Sequence, residues 1–169
     1  MSRPLSIALA GNPNSGKTTV FNALTGSDRH VGNWPGKTVE RWEGTREYRG
    51  HRLTIVDLPG TYSLAASSLE EAIARDVLID DRPDVVVVVV DAAHLERNLF
   101  LATQILEFGV PVIVGLNMMD NAHAGGMEID PNSLADHLGV PVVPMVARRG
   151  VGVDALLASI VDTLTTSRQ

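Results

Sequence analysis

The stretch GNPNSGKT at residues 11–18 narrows what this chain can fold into more than any other feature of its sequence. It follows the apolar run LSIALA, which predicts a β-strand, and it precedes a segment with helical periodicity. The spacing G-x-x-x-x-G-K-T at such a junction combines the unpaired N–H groups of a helix N-terminus with a compact cation, Lys17, and a hydroxyl, Thr18, that can ligate Mg²⁺. We therefore predict a loop that binds the phosphates of a nucleotide. The predicted contacts are Gly11, Asn12, Pro13, Asn14, Ser15, Gly16, Lys17, Thr18 and Thr19.

Short apolar runs alternate with helical stretches along the rest of the chain. The runs are LSIALA, LTIVD, DVVVVVVDA, VPVIVGLN and VPVVPMV. Their alternation with helices predicts parallel strands, and their apolar character on both faces predicts helices on both sides of the sheet. Residues 38–55 differ, because they read as two antiparallel strands joined at YRGHR. We predict one α/β domain over residues 1–169, with a six-stranded, mostly parallel sheet, one antiparallel edge strand and the ligand at the carboxyl ends of the strands.

Composition excludes several classes of function. The chain has no cysteine, which rules out disulfides, thiolate nucleophiles and cysteine metal sites. A formal net charge of −6 argues against nucleic acid as a partner, and the basic cluster at residues 41–52 is expected to be a solvated face. The longest apolar run, residues 85–90, is too short to cross a bilayer, so we expect a cytoplasmic location. The histidines and methionines lack metal-ligand spacing, and no direct iron site is expected.

Two further motifs follow predicted strands and specify the nucleotide. In TIVDLPG, Asp57 is placed to hold Mg²⁺ through water, and the Gly60 N–H is placed to sense a γ-phosphate. In GLNMMD, Asn117 and Asp120 lie three residues apart, and a carboxylate there can accept two hydrogen bonds from the N1 and N2 edge of guanine. Adenine has no such pair of donors. The order of the three motifs therefore predicts a guanine nucleotide, GTP or GDP.

Together these motifs resemble the Ras-like P-loop GTPase fold. Three longer stretches resemble more specifically the cytosolic G domain of the bacterial ferrous iron transporter B (FeoB) family: VGNWPGKTVER at 31–41, DLPGTYSL at 57–64, and VVDAAHLERNLFLATQILEFGVPVIVGLNMMD at 89–120. We refer to residues 31–41 as switch I and to residues 57–64 as the start of switch II. The resemblance implies a Mg²⁺-dependent GTPase with slow intrinsic turnover. It also implies a helical domain and a transmembrane iron permease, absent from this chain, at the cytoplasmic face of the bacterial inner membrane, and oligomers formed through that parent transporter.

The resemblance assigns roles to individual residues. Mg²⁺ would be held by Thr18, Thr38 and Asp57, and K⁺ by the Asn14 side chain with the backbone carbonyls of Gly32 and Trp34. The K⁺ ion would supply the charge that an arginine finger provides in other GTPases. Catalysis would involve Lys17, Asn14, Thr38 and Gly60. Beyond the phosphate loop, the nucleotide would contact Gly36, Thr38, Asp57, Gly60, Asn117, Met118, Asp120, Ala147 and Arg148.

Three departures from Ras-like proteins leave alternatives open. Met118 replaces the lysine that packs on the base, which predicts modest nucleotide affinity. The loop VARRG lacks the usual serine, so a backbone N–H near Arg148 is expected to contact the base. Thr61 occupies the position of the glutamine that orients the attacking water. The alternatives to a GTPase of iron transport are a GTP- and GDP-sensing module with negligible turnover, and a related GTPase of tRNA modification or ribosome assembly.

Overall fold

Seven strands form one mixed sheet, flanked by six α-helices, in the computed structural model, which describes residues 3–26 and 28–166. The strands are β1 Leu5–Gly11, β2 Arg29–Asn33, β3 Glu40–Tyr48, β4 His51–Asp57, β5 Val85–Asp91, β6 Val112–Asn117 and β7 Val142–Pro144. The helices are α1 Lys17–Thr25, α2 Leu69–Asp76, α3 Leu95–Leu106, α4 Met119–Ala124, α5 Pro131–Leu138 and α6 Val153–Thr166.

The sheet has the strand order β2-β3-β4-β1-β5-β6-β7. All neighbouring pairs from β4 to β7 are parallel, and β3 forms the predicted antiparallel hairpin with β4. The predicted count of six strands is wrong by one, because Arg29–Asn33 adds a seventh strand antiparallel to β3 and becomes the edge. Every residue of that strand is exposed, so no alternation of apolar and polar side chains marks it in the sequence.

The core consists of two apolar layers, one on each face of the sheet. All residues of β5 from Val85 to Val90 are fully buried. Val86, Val88 and Val90 pack into the layer that includes α2 and α3, whereas the odd-numbered valines pack with α1 and α6. Both faces of β5 are therefore covered by helices, which confirms the predicted architecture and explains the uninterrupted valine run.

The helix starts show which end of the sheet can hold a ligand. The Ser68 hydroxyl accepts a hydrogen bond of 3.1 Å from the Glu71 N–H at the start of α2, and Asp130 caps α5 in the same way. In contrast, α1 begins after Gly16, which has no side chain to cap the helix. The first N–H groups of α1, next to the carboxyl end of β1, are thus left for another acceptor. Within the described residues, no helix is long and apolar enough to cross a membrane.

Candidate nucleotide-binding site

The loop between β1 and α1 has a backbone shape that few residues can adopt. Asn14 and Gly16 both have positive φ angles, of 69° and 89°. A Cβ atom on Gly11 would lie 2.8 Å from the Val89 carbonyl oxygen, and one on Gly16 would overlap the Asn117 side-chain nitrogen. The glycines of the predicted phosphate loop are therefore required by contacts with β5 and β6 as well as by the curvature of the loop.

A buried ion pair joins this loop to the neighbouring strand. Lys17 Nζ donates a hydrogen bond to Asp57 Oδ1, and the two side chains are only 10% and 11% exposed. Asp57 is the last residue of β4, which pairs in parallel with β1. Burial raises the pKa of Asp57, and the charge and hydrogen bond of Lys17 offset part of this rise. The structure thus brings together the predicted phosphate-binding cation and the predicted Mg²⁺ carboxylate.

A pocket opens above this ion pair. It is lined by Asn12, Pro13, Asn14, Gly16, Lys17, Thr18 and Gly60. The loop that carries Gly60 is fixed to β1, because the Thr61 N–H donates a 3.1 Å hydrogen bond to the Gly11 carbonyl. We call this the phosphate pocket, and it contains most of the predicted phosphate-loop residues together with the glycine of DLPG.

Some polar atoms near the phosphate pocket are buried without a partner. Among the described residues, the Asn12 side-chain nitrogen and oxygen and the Ser15 hydroxyl accept or donate no hydrogen bond. These two residues are 2% and 1% exposed. Buried polar groups in folded proteins are nearly always hydrogen-bonded. Their lack of protein partners is consistent with a site that is completed by water or by a polar ligand.

Asn117 connects the phosphate loop to the other loops at this end of the sheet. It ends β6 and is 3% exposed. Its Nδ2 donates to the Ser15 carbonyl at 3.1 Å, and its Oδ1 accepts from the Ala147 N–H at 3.0 Å. The amide therefore links three loops, a contact that the sequence spacing alone did not reveal.

A second pocket adjoins the phosphate pocket at Gly16. It is lined by Gly16, Thr19, Asn117, Met118, Asp120, Asn121, Val146, Ala147 and Arg148. We call it the base pocket. It unites the predicted base-contacting residues with Asn121 and Val146, which flank the motifs but were not predicted. Met118 has a φ of 60° and turns the chain from β6 into α4, which places Asp120 in the first turn of that helix.

The Asp120 carboxylate is held ionised by its surroundings. It accepts a hydrogen bond from the Arg148 guanidinium. Desolvation acts to raise the pKa of Asp120, but the Asn121 backbone N–H and the charges of Arg148 and Arg149 outweigh it, so that the pKa lies below the usual value. The base pocket therefore presents a negatively charged acceptor.

Switch I lies away from both pockets. Gly32 is part of β2, opposite Arg41, and Trp34 is only 6% exposed. The Trp34 side chain packs in the core layer of α2, and its carbonyl accepts a 2.9 Å hydrogen bond from the Lys37 N–H in a tight turn. Within the described part of the chain, Gly32, Trp34, Gly36 and Thr38 line neither pocket. The structure thus does not bring the predicted switch I ligands of Mg²⁺ and K⁺ to the phosphate loop.

The histidine, aspartate and glutamate side chains form no metal centre of their own in the described ranges, where no three of them lie close enough to hold an ion. His94 instead contacts Asp91 at 2.9 Å, at the start of the segment leading into α3.

Comparison with known protein families extends these observations. The family model described as "Ferrous iron transport protein B" matches residues 5–160. The Fe(2+) transporter FeoB of Salmonella typhimurium is 51% identical over 162 residues, which cover 94% of this chain and 21% of the relative. The same figures hold for the Fe(2+) transporter FeoB of Escherichia coli K12. The chain thus spans about a fifth of the length of these curated relatives.

Solved structures give the same result for the fold. The cytosolic domain of T. maritima FeoB in a GDP form is similar with a TM-score of 0.93 and 45% identity, covering 96% of this chain and 64% of that one. The G domain of Methanococcus jannaschii FeoB is similar with a TM-score of 0.86 and 46% identity, covering 97% of this chain and 99% of that one. The chain therefore has the fold of a FeoB G domain, and it belongs to the ferrous iron transport protein B family.

Proposed function

We propose that this chain is the GTP-binding and GTP-hydrolysing switch domain of a ferrous iron transporter. One observation carries the proposal: the phosphate pocket, with Lys17 and Asp57, adjoins the base pocket, with Asp120, at the carboxyl ends of β1, β4 and β6. This arrangement fits a guanine nucleotide, because a cation for the phosphates and an anion for the base lie in adjoining pockets that share Gly16.

The phosphates would be bound by backbone and lysine together. The uncapped N-terminus of α1 offers N–H groups and a favourable dipole to the β-phosphate. Lys17 would then exchange its carboxylate partner for phosphate oxygens, which frees Asp57 to face the metal. The burial of this pair strengthens both interactions, because charges attract more strongly where water is excluded.

The residues present also fit a Mg²⁺ ion. The Thr18 hydroxyl lines the phosphate pocket, and the Asp57 carboxylate is in contact with a residue of that pocket, which provides the oxygen donors that Mg²⁺ prefers. Thr38 would join them after switch I has rearranged. When bound, Mg²⁺ supplies positive charge to the β- and γ-phosphates.

Guanine would be selected by Asp120. Its ionised carboxylate can accept from both donors of the guanine edge, and Ala147 and Met118 line the same pocket. A site that pairs buried polar groups rejects a base that lacks them. We therefore infer strong preference for GTP and GDP over ATP.

Hydrolysis would be stimulated by K⁺, since the chain has no glutamine at position 61 and Thr61 is buried. Asn14 would hold the ion through its side-chain oxygen, because it lines the phosphate pocket. The Gly32 and Trp34 carbonyls would complete the shell. An oxygen cage of this kind suits the larger, more easily dehydrated K⁺ better than Na⁺.

The chain's place in a longer protein is the last part of the proposal. We infer that the chain is a single G domain that acts with a helical domain and a membrane iron permease at the cytoplasmic face of the membrane. The length of the relatives, of which this chain matches 21%, supports such additional parts.

One rival function is a GTP- and GDP-sensing module with negligible turnover, and the absence of glutamine at position 61 favours it.

A turnover assay separates the two functions. Phosphate release from GTP is measured with saturating Mg²⁺ in KCl and in NaCl at equal ionic strength, for the unmodified chain and for Asn14→Ala. We expect turnover to rise several-fold in K⁺, and Asn14→Ala to abolish the difference while GDP binding is retained. Equal rates in the two salts would exclude the K⁺ site, and no turnover in either salt would favour the sensing module.

A further inference from the structure

The base pocket contains a contact that guanine recognition does not require. Arg148 donates a hydrogen bond from its guanidinium to the Asp120 carboxylate, the same group that is proposed to bind guanine. The Asp120 side chain is 18% exposed and the Arg148 side chain is 60% exposed. Most of the arginine side chain therefore already lies in solvent, whereas most of the carboxylate is enclosed by the pocket.

Guanidinium and the guanine edge offer the same chemistry to a carboxylate. Each presents adjacent N–H donors in one plane, spaced to match the two oxygens. Arg148 donates to Oδ2 of Asp120, which is one of the two oxygens that the guanine edge would use. The Arg148 guanidinium and the guanine edge would therefore compete for the same carboxylate, that of Asp120.

We propose that Arg148 is an internal competitor of guanine for Asp120, so that the side chain must swing out of the base pocket before a guanine nucleotide can bind. This inference rests on the proposed guanine specificity. It assigns to Arg148 a regulatory effect on affinity in addition to the backbone contact expected from its loop.

The backbone of the loop does not depend on this side chain. The Ala147 N–H is fixed by Asn117 Oδ1 at 3.0 Å, and the Gly150 N–H donates to the Ala147 carbonyl at 3.0 Å. Val146 and Val151 close the loop with a backbone bridge. Replacing the Arg148 side chain therefore removes the competitor and leaves the pocket wall in place.

Competition multiplies the affinity for the nucleotide by the fraction of molecules in which Asp120 is free of Arg148. Because partly exposed ion pairs are weak, the Arg148 contact should lower the affinity for GDP by only about two- to fivefold. Because the arginine must leave before the base enters, the reduction appears in the association rate constant, and the dissociation rate constant stays the same.

The test is stopped-flow binding of GDP that carries a fluorescent N-methylanthraniloyl group on its ribose, with calorimetry of unlabelled GDP alongside. The variants are Arg148→Ala, Arg148→Gln and the matched control Arg149→Ala. Arg149 has the same charge one position further on and acts on Asp120 through its field, whereas Arg148 also makes the hydrogen bond. The control thus corrects for losing one cation near an anionic nucleotide, and melting curves check that each variant folds.

We expect both Arg148 variants to associate with the labelled GDP about two- to fivefold faster than Arg149→Ala does, with equal dissociation rates. This gap should narrow at high salt, which screens exposed ion pairs. Equal association rates for Arg148→Ala and Arg149→Ala, or weaker binding by the Arg148 variants alone, would overturn the inference. If the unmodified chain binds ATP as well as GDP in calorimetry, the proposed function fails, and this inference fails with it.

Discussion

At the scale of single residues, the pairing of Lys17 with Asp57 is the contact on which the chemistry of the site depends. The sequence motifs predicted both residues, each from its own spacing. Their contact follows from the parallel pairing of β1 with β4, in which Leu9 lies beside Asp57. Their shared burial makes each the obligatory partner of the other until a phosphate or a metal ion replaces it.

Replacing Lys17 or Thr18 with alanine should therefore reduce GTP hydrolysis by about 10²- to 10³-fold, because each variant loses an interaction with the charge that develops on the phosphates. Phosphate release under saturating Mg²⁺ measures the effect, and circular dichroism checks the fold.

Thr61→Ala is the control for this pair. The residue is buried, and its backbone N–H, which alanine retains, makes the hydrogen bond to the Gly11 carbonyl. Turnover of Thr61→Ala should stay within a few-fold of the unmodified chain. A loss that matched the Lys17→Ala loss would show that the Thr61 side chain takes part in catalysis and that the predicted catalytic set is wrong.

The sequence predicts which residues belong to the candidate site, but it does not predict most of the contacts between them. The spacing of GNPNSGKT, DLPG and NMMD is local, and each motif follows a strand whose end defines the site. The link from Asn117 to Ser15 and Ala147 spans 102 and 30 positions of sequence, and the Arg148 contact with Asp120 spans 28. Such contacts depend on which strands are neighbours, and a single sequence carries no direct signal of that.

At the scale of the elements, Gly16 shows how the phosphate loop is joined to β6. It has a φ of 89°, and a Cβ atom there would overlap the Asn117 amide that holds the loop. Gly139, at the end of α5, has a similar left-handed conformation with a φ of 74°, but a Cβ atom there would meet no atom within 4 Å. An alanine at either position strains the backbone, but only the alanine at Gly16 also clashes with a neighbouring side chain.

We expect Gly139→Ala to lower the free energy of unfolding by about 1 kcal/mol through backbone strain alone, with nucleotide binding unchanged. Gly16→Ala should cost at least about 1 kcal/mol more, because the Asn117 hydrogen bonds are lost as well, and it should abolish GDP binding. Urea denaturation and calorimetry measure the two effects. Similar values for both variants would show that the Asn117 link contributes little.

The strands with one or two buried faces could be predicted from the sequence, whereas the fully exposed strand β2 could not. The hairpin at residues 40–57 and the buried strands β1, β5 and β6 match their apolar runs. β2, with the sequence RHVGN, has no buried side to leave a pattern, and the sequence predicts no strand there. Its backbone pairing with β3 is a property of the fold that its side chains do not encode.

At the scale of the whole molecule, switch I and the phosphate loop occupy separate places. The Trp34 ring packs beside α2, with the Arg41 guanidinium 5.1 Å from the ring centroid. The backbone carbonyl of Trp34 accepts a hydrogen bond from the Lys37 N–H in a tight turn. If the carbonyls of Gly32 and Trp34 are to reach a K⁺ ion at Asn14, this segment has to leave its position. The proposed K⁺ site thus requires a rearrangement of the entire loop.

Tryptophan fluorescence can follow that rearrangement. The chain has two tryptophans, and Trp42 is 37% exposed, so Trp42→Phe leaves the buried Trp34 as the single reporter. We expect a non-hydrolysable GTP analogue with Mg²⁺ and K⁺ to shift the emission to longer wavelength as the ring becomes solvated, and GDP to shift it less. Unchanged emission with the analogue would show that Trp34 stays in place and that its carbonyl is not a ligand.

The six buried valines of β5 have a consequence outside the native state. In a partly unfolded chain, Val85–Val90 is an uncharged stretch of high β-propensity, the kind of segment that stacks with its own copies into aggregates. Asp84 and Asp91 flank it, and in the native fold they bond to Ser6 and to the start of the α3 segment. On unfolding, the same two carboxylates become gatekeepers, because those of one copy repel those of the next when two valine runs stack. The gatekeepers weaken this association without abolishing it. Recovery of active protein after heating should therefore still fall as protein concentration rises, because association of exposed β5 segments competes with refolding.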